Sequence, residues 1–208
     1  MNWDEEVGPA REEMDRRHAA REAALSVSRS VIQTCSKCIK HVHRKQIAEA
    51  QALLQHARDL LNQGRAAAAG QPEILYAGYL QDAEKEFVEA AGCLALAEGR
   101  PLPARTELGV SVVAYLNGMG ECASEMRRTV LDVMREGNMA EAERLLRAME
   151  TIYDDLTTFD YPDGVTGGLR RTCDALRAVI ERTRSDLTLT SVQNQLLREL
   201  QSHPTPKN

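Results

Sequence analysis

Small or apolar residues recur every three or four positions along the first third of the chain, which is the period of an amphipathic α-helix. The seam they form consists of Leu25, Ser28, Ile32, Cys35, Ile39 and Val42, and it continues through Ile47, Ala50, Leu54, Ala57 and Leu61. This pattern predicts one very long helix over residues 9–66, or two helices placed end to end. Pro9 suits the first turn of such a helix, and Gly64 together with residues 66–70 is expected to end it.

Glycine and proline residues divide the rest of the chain into further helices. We predict helices over residues 71–98, 105–136, 139–158, 165–187 and 190–200, with a turn at residues 161–164. The short connections between them favour antiparallel packing. The sequence therefore predicts an all-α fold, in which residues 1–200 form a single domain of six or seven mostly antiparallel helices and residues 201–208 form a flexible tail.

The charge balance limits the kinds of surface that this chain can have. The 208 residues include 26 Lys and Arg against 31 Asp and Glu, which gives a net charge of −5. Such a balance argues against an evenly basic surface, so a surface for nucleic acid has to be local. The chain begins with acidic residues, and it has no run of about 18 apolar residues, so we expect neither a secretion signal nor a membrane span.

The cysteines point to the interior of the protein. There are five of them, scattered through predicted helices, and they are Cys35, Cys38, Cys93, Cys122 and Cys173. An odd, scattered set is typical of a reducing cytoplasm, where cysteines pack as small apolar residues. Cys35, Cys38 and His41 have the spacing of metal ligands, but there is no second cysteine pair and Cys35 lies on the apolar seam. Core packing is therefore the better interpretation.

Two predicted helices carry pairs of glutamates. Glu86 and Glu89 are three residues apart, and Glu121 and Glu125 are four apart, so each pair lies on one face of a helix. Two facing helices would then present four carboxylates, which are the ligands that Mg²⁺ or Mn²⁺ prefers. The face of Glu121 and Glu125 also carries Gly118, a small residue that lets another element approach closely. The simpler alternative is that both pairs lie on ordinary solvated faces.

A basic stretch precedes the acidic pairs. No acidic residue occurs between Glu22 and Glu49. The cationic residues in this stretch include Arg29, Lys37, Lys40, His43 and Arg44, and on a helix most of them share a face away from the apolar seam. Such a stripe suits the phosphate backbone of RNA. The alternatives are a solvated face or one that pairs with an acidic helix.

Five segments resemble the translin/TRAX family. Residues 86–90 are similar to the Glu-Tyr-Val-Glu-Ala segment of the TRAX subunit, and residues 115–127 are similar to its segment containing Tyr-Leu-x-Gly. Residues 169–177 and 180–187 resemble the family's late helix, and the basic stretch that ends at Arg44 resembles its first helix. The resemblance covers residues 20–190, and the order and spacing of the segments make it specific.

This resemblance implies a translin-like helical fold that forms a homo-oligomer, an octameric barrel that encloses single-stranded RNA, with single-stranded DNA as the alternative partner. TRAX-type subunits are Mg²⁺-dependent endoribonucleases, and the residues that match their catalytic and metal-binding carboxylates are Glu86, Glu89, Glu121 and Glu125. Position 121 departs from the TRAX pattern, which has Asp where this chain has Glu. The expected function is metal-dependent cleavage of single-stranded RNA in the cytoplasm, with Mg²⁺ or Mn²⁺ as cofactor.

Three other functions stay open at this point. The first is a translin-like protein that binds single-stranded nucleic acid without cutting it. The second is an all-α nucleoside triphosphate pyrophosphohydrolase, since those enzymes also use Glu-x-x-Glu pairs around Mg²⁺. The third is a structural helical bundle whose acidic faces are only solvated. The arrangement of the four glutamates separates a nuclease from a protein that only binds, and hydrolysis of free nucleotides but not of long RNA would identify a pyrophosphohydrolase.

Overall fold

A computed structural model describes residues 3–202, which form nine helices and contain no strand. The helices are α1 (Trp3–His43), α2 (Ile47–Ala67), α3 (Pro72–Leu75), α4 (Tyr79–Ala97), α5 (Arg105–Leu108), α6 (Val112–Arg135), α7 (Met139–Thr157), α8 (Asp163–Thr166) and α9 (Leu169–Ser202). The all-α prediction is confirmed. Six helices are long, and α3, α5 and α8 are single turns of four residues. None of the helices in this part of the chain is both long and apolar enough to cross a bilayer.

Helices α1 and α2 form a hairpin, so the prediction of one long helix or two end-to-end helices is wrong. The thiol of Cys38 lies 3.3 Å from the carbonyl oxygen of Ala50, and Gly64 packs against the side chain of Val27. The chain reverses at residues 44–46, where Lys45 has a φ of 58°. Glycine is the residue that usually adopts a left-handed backbone conformation. Because a lysine adopts it here, no typical turn residue marks this break in the sequence. The reversal lets the seam of α1 bury itself against the seam of α2.

The chain folds as two compact units, and the boundary between them falls within α6, after Met119. In the first unit α4 packs against both α1 and α2. It does so because its sequence from Ala90 to Leu96 is small and apolar on every side, and all of it is buried. The prediction of a single domain over residues 1–200 stays a prediction.

In the second unit α7 packs against α9. The side chain of Asn138 caps α7 by accepting a hydrogen bond from the backbone N–H of Glu141 at 3.2 Å. Helix α9 is continuous over 34 residues, so the predicted break between residues 187 and 190 is wrong. Thr190 lies inside the helix, where its hydroxyl donates to the carbonyl of Asp186 one turn earlier. Residues 201–202 of the predicted tail belong to α9, and the rest of that tail lies outside the described residues.

Candidate functional site

Glu86 and Glu89 lie on α4, at the edge of its buried face. Phe87, Val88 and Ala90, which are interleaved with them, are fully buried. Both glutamates are themselves half-buried. Because a solvated helix face would leave carboxylates well exposed, this position on α4 does not fit the simpler interpretation of that pair.

The first half of α6 crosses α4 in direct contact with this acidic turn. A Cβ atom added at Gly118 would lie 2.6 Å from the carbonyl oxygen of Lys85 and 2.7 Å from the Cβ of Val88. Only glycine allows such an approach. The start of α6 is also tied to α4, because the carboxylate of Glu84 accepts a hydrogen bond from the backbone N–H of Ser111 at 2.9 Å.

Glu121 follows Gly118 by three residues on the same helix and therefore lies close to the acidic turn of α4. One carboxylate oxygen from each of Glu86, Glu89 and Glu121 lies within 4.8 Å of the others, and all three side chains are half-buried. Glu125 lies one turn further along α6 and does not belong to this group of three.

The donor set of this glutamate cluster, Glu86, Glu89 and Glu121, fits a hard divalent cation. All three ligands are carboxylate oxygens, which suit Mg²⁺, Mn²⁺ or Ca²⁺ rather than the softer metals that prefer sulfur or imidazole. At an effective dielectric constant near 20, two unit charges 4.8 Å apart repel by about 3 kcal/mol. A cation between the carboxylates would turn this repulsion into attraction.

The cysteines near the cluster do not add to its donor set. Burial raises the pKa of the Cys35 thiol, and electrostatic interactions with Cys38, Glu86 and Glu89 raise it further. Burial alone raises the pKa of Cys38 to about 12. Both thiols therefore stay protonated at neutral pH, and neither belongs to the group of ligand atoms that lie within 4.8 Å of one another. All five cysteines are free and buried, as core packing predicted.

The basic stripe lies on α1 and just beyond its end. Arg29, Lys37, Lys40 and Arg44 are exposed, and His43 is half-buried. The four exposed cations form no ion pair with any carboxylate in residues 3–202. Most other arginines of the chain do form such pairs, for example Arg184 with Glu150 at 2.7 Å. Within the described chain, therefore, no acidic helix neutralises these four cations.

Sequence reasoning missed one feature of the first unit. A cavity of about 380 Å³ lies beside Tyr76, between α2, α3 and the start of α4. The signal for it was an aromatic residue in a short segment flanked by Gly70 and Gly78, both of which have positive φ.

The comparisons with known proteins agree with one another. The chain is 32% identical over 183 residues to an uncharacterised protein of Methanocaldococcus jannaschii, covering 87% of this chain and 80% of that protein. It superimposes on the crystal structure of AfC3PO, from Archaeoglobus, with a TM-score of 0.83 and 34% identity, covering 90% of this chain and 98% of that one. The chain belongs to the translin/TRAX family.

Two further solved structures are similar to this chain. AfC3PO in complex with duplex RNA gives a TM-score of 0.81 at 33% identity, covering 90% of this chain and 97% of that one. NeC3PO, from Nematostella, shares the fold at a TM-score of 0.79 and only 20% identity, covering 88% and 96% of the two chains. No protein-family profile matches the sequence.

Proposed function

We propose that this translin/TRAX protein is a metal-dependent endoribonuclease that cuts single-stranded RNA inside a homo-oligomer, an octamer as in the barrels of its family. The observation that carries the proposal is the glutamate cluster, in which α4 and α6 bring three half-buried carboxylates within 4.8 Å of one another. Family membership supports RNA as the partner, since a relative at 33% identity is described in complex with duplex RNA.

In this proposal Glu86, Glu89 and Glu121 hold Mg²⁺ or Mn²⁺, and Glu125 completes the acidic set from the next turn of α6. The cation supplies a Lewis acid that offsets the charge building up on the phosphate and favours the ionisation of water. Without a cation the glutamate cluster would repel an RNA phosphate. The carboxylates therefore bind and orient the cation. RNA can approach the carboxylates productively only when the cation is bound to them.

The basic stripe positions the RNA in this proposal. Arg29 and Arg44 are 15 residues apart, which on a helix corresponds to roughly 20 Å. That length accommodates several nucleotides of a single strand. Because the four exposed cations contact phosphates rather than bases, they give affinity without sequence preference. Their binding should also weaken steeply with salt, since each neutralised phosphate releases counterions.

The direct test is cleavage of an end-labelled single-stranded RNA by the purified protein, with Mg²⁺, with Mn²⁺ and with a chelator. The wild type should cut only with a divalent cation, and Glu121→Gln should not cut while it still binds the RNA. Glu49→Gln is the matched control, because Glu49 is an exposed glutamate of α2 outside the cluster. Equal cleavage by wild type and Glu121→Gln would remove the glutamate cluster from the reaction.

A second candidate is a protein that binds single-stranded RNA or DNA without cutting it. Two observations favour it: Glu125 lies outside the group of three, and position 121 carries Glu instead of the Asp of TRAX-type subunits. The longer side chain moves its carboxylate by about one bond length. Tight binding of RNA with no cleavage under either metal would establish this function instead.

A further inference from the structure

The cavity beside Tyr76 is separate from the glutamate cluster and is not used in the function proposed above. It lies within the first unit, with a volume of about 380 Å³. That value falls in the range of small-molecule sites. Leu75 and Leu80 form apolar walls, and Arg65, Gln81 and Glu84 supply the polar groups.

The charged groups of the cavity neutralise each other. Arg65 donates to the carboxylate of Glu84 at 2.6 Å and to the carbonyl oxygen of Gly109 at 2.7 Å. The other carboxylate oxygen of Glu84 accepts the backbone N–H of Ser111 at 2.9 Å. Because the two charged groups pair with each other and with the backbone, the cavity offers no unpaired charge that would favour a phosphate or a cation. Its ligand should be neutral.

The remaining groups fit a flat ring with polar edges. The side chain of Tyr76 is 81% exposed at the mouth of the cavity, where a ring can stack on it. Gln81 is half-buried, and its side chain forms no hydrogen bond to another group in residues 3–202. Its amide offers both a donor and an acceptor to one edge of a ligand.

We propose that this cavity binds an unpaired nucleobase, which stacks on Tyr76 and is hydrogen-bonded at its edge by Gln81. The part of this proposal in which the base belongs to an RNA strand rests on the function proposed above. The basic stripe begins close to the same part of α4. Ser28 donates to the carbonyl oxygen of Tyr79 at 2.8 Å, and Arg29 is the next residue of α1. A strand held by the stripe therefore passes a site that can take one of its bases.

The test compares two ligands of equal length, a single-stranded RNA and the same chain without bases, in the presence of a chelator so that no cleavage occurs. Tyr76→Ala should weaken binding of the base-containing RNA by about 5- to 100-fold, the range expected for loss of one base–aromatic stack. It should leave binding of the abasic chain unchanged, and Tyr76→Phe should bind like the wild type. Tyr161→Ala is the matched control, since Tyr161 is 61% exposed in the second unit and should affect neither ligand.

Equal affinity of wild type and Tyr76→Ala for the base-containing RNA would overturn the proposal, and so would an equal loss on the abasic chain. Binding of free adenosine to the protein, measured by saturation-transfer NMR, tests the cavity independently of RNA binding. If the wild type binds no RNA, the proposed function fails. Adenosine signals that vanish in Tyr76→Ala would then still support the cavity, and their absence in the wild type would overturn it.

Discussion

The basic stripe and the glutamate cluster are built in opposite ways. The stripe lies along one helix and its end, its cations are exposed, and its spacing follows from the helical repeat alone. The glutamate cluster needs two helices in contact, and its like charges are half-buried where they repel. A surface of separated charges tolerates change at any one position, whereas a cluster depends on the contact that assembles it. The two regions should therefore respond very differently to mutation.

The largest expected effect comes from Gly118→Ala. The new Cβ would lie 2.6 Å from the backbone oxygen of Lys85, so α6 has to move away from α4. We expect unfolding in urea to be easier by about 1–3 kcal/mol, as in other overpacked cores, with loss of metal-dependent cleavage and little change in RNA affinity. Gly8→Ala is the control, because Gly8 has open space around it and should gain stability by up to about 1 kcal/mol. Full activity in Gly118→Ala would show that the cluster does not depend on this contact.

Comparing Glu121→Gln with Glu125→Gln sharpens the definition of the cluster. Glu121 belongs to the group of three and Glu125 does not. Titration of Mn²⁺ followed by calorimetry should give an affinity at least about 100-fold lower for Glu121→Gln, since even indirect supporting residues contribute about 10- to 100-fold. Glu125→Gln should keep its metal affinity within about tenfold while its cleavage falls. Equal loss of metal affinity in both variants would show that Glu125 is also a direct ligand.

Divalent cations should stabilise the folded protein through the same carboxylates. At a hundred times the dissociation constant, a ligand that binds only the folded state adds about 2.7 kcal/mol, which for a chain of this size raises the melting temperature by roughly 5–10 °C. Differential scanning calorimetry of the wild type with Mn²⁺ and with chelator measures this shift. The Glu121→Gln variant should lose most of this rise in melting temperature. A rise that persists in the variant would show that the cation binds elsewhere.

The smallest effect is expected in the basic stripe. Replacing both Lys37 and Lys40 by Ala should weaken RNA binding without changing unfolding, because both side chains are exposed and form no ion pair in residues 3–202. The slope of log affinity against log salt should become shallower by about 1.4, or 0.7 per lost phosphate contact on a single strand. Arg177→Ala removes an exposed cation that already pairs with Glu181 at 2.9 Å, and it serves as the control. An unchanged slope in the double variant would remove the stripe from the RNA interface.

Much of this molecule was predictable from local pattern. The all-α fold and the burial of the cysteines followed from helical periodicity, and the family followed from short segments in a specific order; all of these predictions are confirmed. Two boundaries were not predictable in the same way. Lys45 turns the chain with a left-handed backbone that no glycine announces, and α9 continues through Thr190 with a hydroxyl bonded to the preceding turn.

The sequence by itself determined which residues carry charge, which helix each lies on, and hence the basic stripe, because spacing along one helix is a local property. It also placed Gly118 on the same helix as Glu121. Only the tertiary structure decided that Glu86, Glu89 and Glu121 gather while Glu125 stays one turn away. It also decided that Arg65, Glu84 and Tyr76 surround one cavity. Both outcomes depend on how closely two helices approach and on where the chain reverses, which are set by packing between residues far apart in sequence.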